Sequence, residues 1–426
     1  MPWVQTLQTY RKTVLSNGIK VITEEIRHVR SVSIGAWVPC GSRHEDERIN
    51  GTAHFIEHML FKGTAGRSAF DIASDIDSVG GVMNAFTGKE LTAFYVKVPD
   101  YHLPLAIDLL ADIFNHSLFN LDEIDKEKAV VLQEISMVED TPDEYIHDIF
   151  EKHFWEGHSL GMPVLGTRES VDAFDRAKVM QFFEERYRGD NLVIAAVGNM
   201  EHEKLVDLVA KLFGTLPALR LKFDETKPQT TARLSCIEKD LEQLHLVVGT
   251  PAPATLDPTR FAGILMNSVF GGSMSSRLFQ EIREKRGLAY AVRSYIVSYR
   301  DTGMLNIYVG TSKDKTQEVI DIILAEMRRM KAERFTEKEL QSAKELIKGN
   351  LLLSMESTDN RMQKLATNEI YFGRNILPEE IVAKIDAVTG EDILALSQQM
   401  FTGTNLSMVF LGEMTEAEMP RGDVEL

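Results

Sequence analysis

Apolar positions along the chain switch between strand-like and helix-like spacing. SVSIGAWV (31–38) and NLVIAAVG (191–198) are short runs of β-branched and small apolar residues, which predicts strands. The segment 201–213 carries helical spacing, and Asn17-Gly18 predicts a tight hairpin. In TAFYVKVPDYHLPLAIDLLADIF (92–114) a strand pattern passes directly into an amphipathic helix pattern. The mixture predicts an α+β fold of mainly antiparallel sheets packed against helices.

That strand-then-helix order occurs twice. After 92–114 comes FNLDEIDKEKAVVLQEISM from Phe119; LNIYVGTSKDKTQEVIDIILAEM from Leu305 is likewise followed by FTEKELQSAKELIKGNLLLSM from Phe335. Two homologous domains are the simplest account. The polar, proline-containing stretch LPALRLKFDETKPQTTARL (216–234) is the natural join. The expected division is an N-terminal domain over 1–220 and a C-terminal one over 232–426, with a linker at about 221–231.

Composition narrows the function. A chain of 426 residues with 44% hydrophobic and 26% charged residues can bury two ordinary cores. A net charge of −17 argues against a phosphate-binding surface, so nucleic acid is not an expected partner; basic peptides would be steered favourably. Two distant cysteines, Cys40 and Cys236, suggest neither a disulfide framework nor a thiolate metal site. No apolar run is long enough to span a bilayer and the first residues lack a secretory core, so no membrane partner and a cytoplasmic location are expected.

The chemistry-bearing segment is INGTAHFIEHMLFKGT, apolar at helical spacing up to Gly63. On such a helix His54 and His58 project from one face and can share an ion, and Glu57 lies within reach of a water on that ion as its general base. A catalytic zinc wants a third ligand and an open fourth position. DEIDKEKAVVLQEISMVED predicts a second helix with Glu127 and Glu134 about two turns apart on the same side. Spacing alone leaves open which glutamate ligates.

HFIEH reads as H-x-x-E-H, and here the chain resembles the inverzincin peptidases, the family of pitrilysin, insulin-degrading enzyme and mitochondrial processing peptidase. GTAHFIEHMLFKGT, GGVMNAFTGKELTAFYVKV, the helix with two glutamates and FGGSMSSRLFQEIREKRGLAYAV occur in family order, so the resemblance covers essentially the whole chain. It implies His54, His58 and Glu134 as ligands of one Zn2+ per chain, Glu57 as the base acting on the zinc-activated water, and Glu127 as a supporting catalytic glutamate. It implies Asn84, Ala85, Phe86 and Thr87 as an edge-strand segment that pairs with an extended substrate. It implies Arg283 and Tyr290 as stabilisers of the scissile carbonyl; by themselves they read as residues of a charged helix.

Laying Pro39 on Pro251 sets His54, Glu57 and His58 against Met266, Val269 and Phe270, with Glu134 falling near Asn350, so the second half is expected to hold no metal. The resemblance implies a zinc metalloendopeptidase acting on peptides or unfolded segments, basic or presequence-like ones included, in an enclosed chamber. Because longer family members resemble two such chains fused, a homodimer with the site completed across subunits is expected. The alternative is a non-catalytic scaffold or assembly subunit of the same fold.

Overall fold

The computed structural model describes residues 9–218 and 226–419. Its first elements are β1 (Thr9–Val14), β2 (Lys20–Glu25), β3 (Ser31–Val38), α1 (Thr52–Leu60), α2 (Ala69–Asp77), β4 (Val82–Thr87) and β5 (Thr92–Pro99). There follow α3 (Leu103–His116), α4 (Leu121–Glu139), α5 (Pro142–Phe154), α6 (Arg168–Asp172), α7 (Arg176–Arg186), β6 (Val193–Gly198) and α8 (His202–Phe213). The later part runs β7 (Leu234–Glu238), β8 (Leu244–Pro251), α9 (Arg260–Phe270), β9 (Ala289–Ser298), β10 (Gly303–Thr311), α10 (Thr316–Ala332) and α11 (Glu337–Ser354). It ends with α12 (Thr358–Phe372), α13 (Pro378–Ala387), α14 (Gly390–Met400) and β11 (Ser407–Gly412). The expected hairpin at Asn17-Gly18 joins β1 to β2.

Two sheets result, ordered β1-β2-β6-β3-β5-β4 and β7-β11-β8-β10-β9. Without β1 they match strand for strand: one parallel pair (β2 with β6, β7 with β11), then three antiparallel pairs. The α+β class read from the sequence is the observed one. The repeated strand-then-helix pattern corresponds to β5–α3 and β10–α10, each followed by a long helix, α4 or α11.

The chain forms two compact units that do not follow the order of the sequence. One comprises, of the described residues, 9–136, 162–218 and 354–375; the other 137–161, 226–353 and 376–419. Helix α12 therefore belongs with the first sheet, and α5 with the second. Met362, Leu365 and Ala366 of α12 pack on Ile22, Trp37, Val193, Ala195 and Val197. Ile146, Phe150 and Phe154 of α5 pack on Val247, Met304, Tyr308 and Val409. Gly249 makes room for α5: a Cβ there would lie 2.3 Å from Cζ of Phe150. Each sheet is thus apolar on both faces, which is why β3 and β10 are buried along nearly their whole length. Of the expected linker at about 221–231, residues 221–225 lie outside the described residues. Among the described residues no helix is long and apolar enough to cross a membrane.

Candidate metal centre

Helix α1 is amphipathic in the sense the site needs. Ala53, Phe55, Ile56, Met59 and Leu60 are buried in the core of the first unit, while His54, Glu57 and His58 are left half-buried on the other side. Helix α4 does the same with Ile124, Val131 and Ile135, which bring Glu127 and Glu134 to α1.

Oε2 of Glu134 lies 3.8 Å from Nε2 of His54 and 3.7 Å from Nε2 of His58. The three residues each offer a ligand atom within 4.8 Å of the others. Ligands about 2.05 Å from a tetrahedral zinc stand roughly 3.3 Å apart, so the cradle is slightly open for the ion. One buried atom supports the fit: Oε2 of Glu134 has no hydrogen-bond partner among the described residues. A buried carboxylate oxygen without a donor is costly, and a cation between the three groups would remove that cost. Burial, helped by neighbouring His58, pushes the His54 imidazole down to about 3, so it is neutral and able to ligate at ordinary pH.

The second glutamate of α4 is engaged elsewhere. Oε2 of Glu127 is 3.0 Å from Nδ1 of His58 and its Oε1 is 2.7 Å from Nζ of Lys62. Glu127 is 4% exposed, so these partners hold a buried charge. A carboxylate on the far nitrogen of a histidine fixes the tautomer that presents Nε2. Glu57 accepts a hydrogen bond from the Thr87 hydroxyl. Burial raises the Glu57 carboxyl above its ordinary value, against the opposing pull of Thr87 and His58.

Asn84, Ala85, Phe86 and Thr87 lie on β4, at the end of the six-stranded sheet, where β5 is its one strand partner among the described residues. The Phe86 ring meets Trp37 edge-on at 5.6 Å. Arg283 and Tyr290 are in the second unit, and here the sequence reading of one charged helix is corrected. Arg283 lies near the end of a π-helical turn, Phe279–Glu284, whereas Tyr290 stands on β9. Gly287, at φ 61°, turns the chain between them. The guanidinium of Arg283 consequently lies 4.7 Å from the centre of the Tyr290 ring, a stacked cation–π pair, and Tyr290 is 80% exposed. Of the positions set against the zinc motif, Met266 and Phe270 are buried core residues and Val269 packs beside them.

Sequence reasoning did not find Lys62, which stands just past the end of α1 and reaches Glu127 from there. It gave Thr87 a part in substrate pairing only, whereas its hydroxyl also holds Glu57. It did not find Glu45, which grips the start of α1.

Two family models match the chain: "Insulinase (Peptidase family M16)" over residues 20–168 and "Peptidase M16 inactive domain" over 173–347. The chain is similar to the uncharacterized zinc protease YmxG of Bacillus subtilis (strain 168), with 42% identity covering 92% of this chain and 96% of that one. It is also similar to an uncharacterized zinc protease of Rickettsia felis, with 36% identity covering 94% and 97%. Among solved structures, a protease from Helicobacter pylori superposes with a TM-score of 0.88 at 20% identity, covering 95% of this chain and 99% of that one. A peptidase M16 inactive domain from Pseudomonas fluorescens does so at 0.89 and 21%, covering 96% and 99%. These last two establish likeness of fold. With two family models covering most of its length and relatives above 30% identity along nearly all of it, the chain belongs to peptidase family M16, the insulinase family.

Proposed function

We propose that this chain is a zinc metalloendopeptidase with one Zn2+ per chain, held by His54, His58 and Glu134. The observation that carries the reading is the unpartnered Oε2 of Glu134 facing two imidazole nitrogens at 3.7 and 3.8 Å, with Glu57 beside them on α1. When bound, zinc would polarise the scissile carbonyl and acidify a water. Glu57 takes the proton of the attacking water and delivers it to the amine as the C–N bond breaks. Its raised proton affinity suits both halves of that task. Thr87 holds Glu57 through its hydroxyl, and Glu127 orients His58.

The substrate is a peptide or unfolded segment that adds as a strand to the open edge of β4 at Asn84–Thr87, recognised through its backbone. Arg283 and Tyr290 donate to the carbonyl oxygen as charge develops on it, each from the opposite protomer of a homodimer. The charge of −17 favours basic, presequence-like segments. The two free thiols suit the reducing cytoplasm.

The test is cleavage of a panel of unfolded peptides by metal-stripped protein, before and after zinc is restored. Loss on stripping and recovery on restoring zinc are expected together. Cleavage indifferent to zinc, or none by zinc-loaded protein on any peptide, overturns it, and the second outcome favours the alternative of a scaffold subunit.

A further inference from the structure

Helix α1 begins in an unusual way. Its N-cap is Gly51 at φ 90°, in the left-handed region, and no side chain caps the helix from that position. No larger residue could stand there: a Cβ on Gly51 would come within 2.6 Å of the Leu165 carbonyl oxygen. The first-turn N–H groups must therefore find an acceptor elsewhere in the fold. Glu45 supplies it. Its Oε2 accepts from the Gly51 N–H at 2.7 Å and from Nδ2 of Asn50 at 3.1 Å, and its Oε1 accepts from the Ala53 N–H at 2.6 Å. One buried carboxyl, 6% exposed, thus spans the cap and the second residue of the helix.

The two histidines of α1 are held unequally. His58 has its Nδ1 fixed by Glu127, whereas Nδ1 of His54 has no hydrogen-bond partner among the described residues. Where His54 presents Nε2 is then set by the backbone that carries it, and that backbone is the first turn, which begins at Thr52. A ligand displaced by a fraction of an ångström binds zinc less well.

We propose that Glu45 is a positioning residue for the metal centre: by clamping the Gly51 and Ala53 N–H groups it fixes the backbone that carries His54, whereas Glu127 fixes the ring of His58 directly. This rests on the assignment of His54 as a zinc ligand.

The experiment measures zinc affinity by chelator competition, together with kcat and KM, for the wild type, Glu45→Gln and Asn17→Ala, each well below its melting temperature. Asn17 is a buried residue that holds the end of α8, so its variant reports general destabilisation. Glu45→Gln keeps the shape but turns an amide NH2 toward one of the N–H donors. It is expected to lower zinc affinity about tenfold or more and to lower kcat with KM little changed, while Asn17→Ala leaves zinc affinity as it was. Unchanged affinity in Glu45→Gln, or an equal loss in both variants, overturns the proposal. If Glu45→Gln does not fold, Glu45→Asp is read by the same criteria; it keeps the carboxyl group but is one methylene too short to reach both N–H groups. Wild-type protein that binds no zinc refutes the metal site itself, an outcome distinct from either of these.

Discussion

Nδ1 of His58 lies 3.0 Å from Oε2 of Glu127, and the other oxygen of that glutamate is 2.7 Å from the ammonium of Lys62. The chain Lys62–Glu127–His58 ends at the face where His58 Nε2 looks toward Glu134. Glu127→Gln is expected to weaken zinc about 10–100-fold without abolishing binding. Glu134→Gln is expected to remove a ligand and lose the metal outright. Metal content after dialysis against a chelator separates the two, and the reverse order would exchange their roles.

The Thr87 hydroxyl is the hydrogen-bond donor to Glu57, from a neighbouring strand. Thr87→Val removes it with little change in volume and is expected to lower kcat about tenfold, with zinc content unchanged; Thr87→Ser should restore most of the loss. Equal kcat in Thr87→Val and wild type would leave the hydroxyl without a catalytic part.

Arg283 stacks on the exposed ring of Tyr290. Tyr290→Phe keeps the stack and removes one donor, so kcat is expected to fall roughly 10–100-fold at constant zinc content. Mixing it with Glu57→Gln asks which protomer supplies the tyrosine. If the site is completed across a homodimer, mixed dimers hold one site with both residues intact, and activity returns to roughly a quarter of wild type. If each protomer uses its own tyrosine, mixing restores nothing.

Glu45 carries a pH signature. Burial pushes its carboxyl up to about 7 from an ordinary 4.5, against the pull of its donors. Between those values the folded chain keeps a proton that the unfolded chain has released. Stability contributed at this site therefore falls as pH rises through that window, by on the order of 3 kcal/mol in full. The melting temperature of wild type relative to Glu45→Gln should decline from pH 5 to pH 7. A relative rise would show that the three donors outweigh burial.

The grouping of these side chains was legible because α1 and α4 are regular helices: their periodicity puts His54 with His58, and Glu127 with Glu134, on shared faces. Which glutamate meets the histidines is set by how α4 lies against α1, and spacing within one helix contains no such information. The exchange of α5 and α12 was hidden for a related reason. An apolar stripe such as Ile146, Phe150 and Phe154 states that a helix is buried, not on which sheet. The charged run REKR reads as helix through Tyr290, but Gly287, in the left-handed region, turns the chain before it. Glu45 left no local signal, since its donors at Gly51 and Ala53 become neighbours only when the loop before α1 folds back.

The zinc-peptidase reading stands on one comparison, hydrolysis of an unfolded peptide by wild type and by Glu57→Gln, both loaded with zinc to the same content. The expected result is a rate lower by ~10³-fold or more in the variant, since its amide can neither take nor return a proton. Equal rates at equal zinc would contradict it.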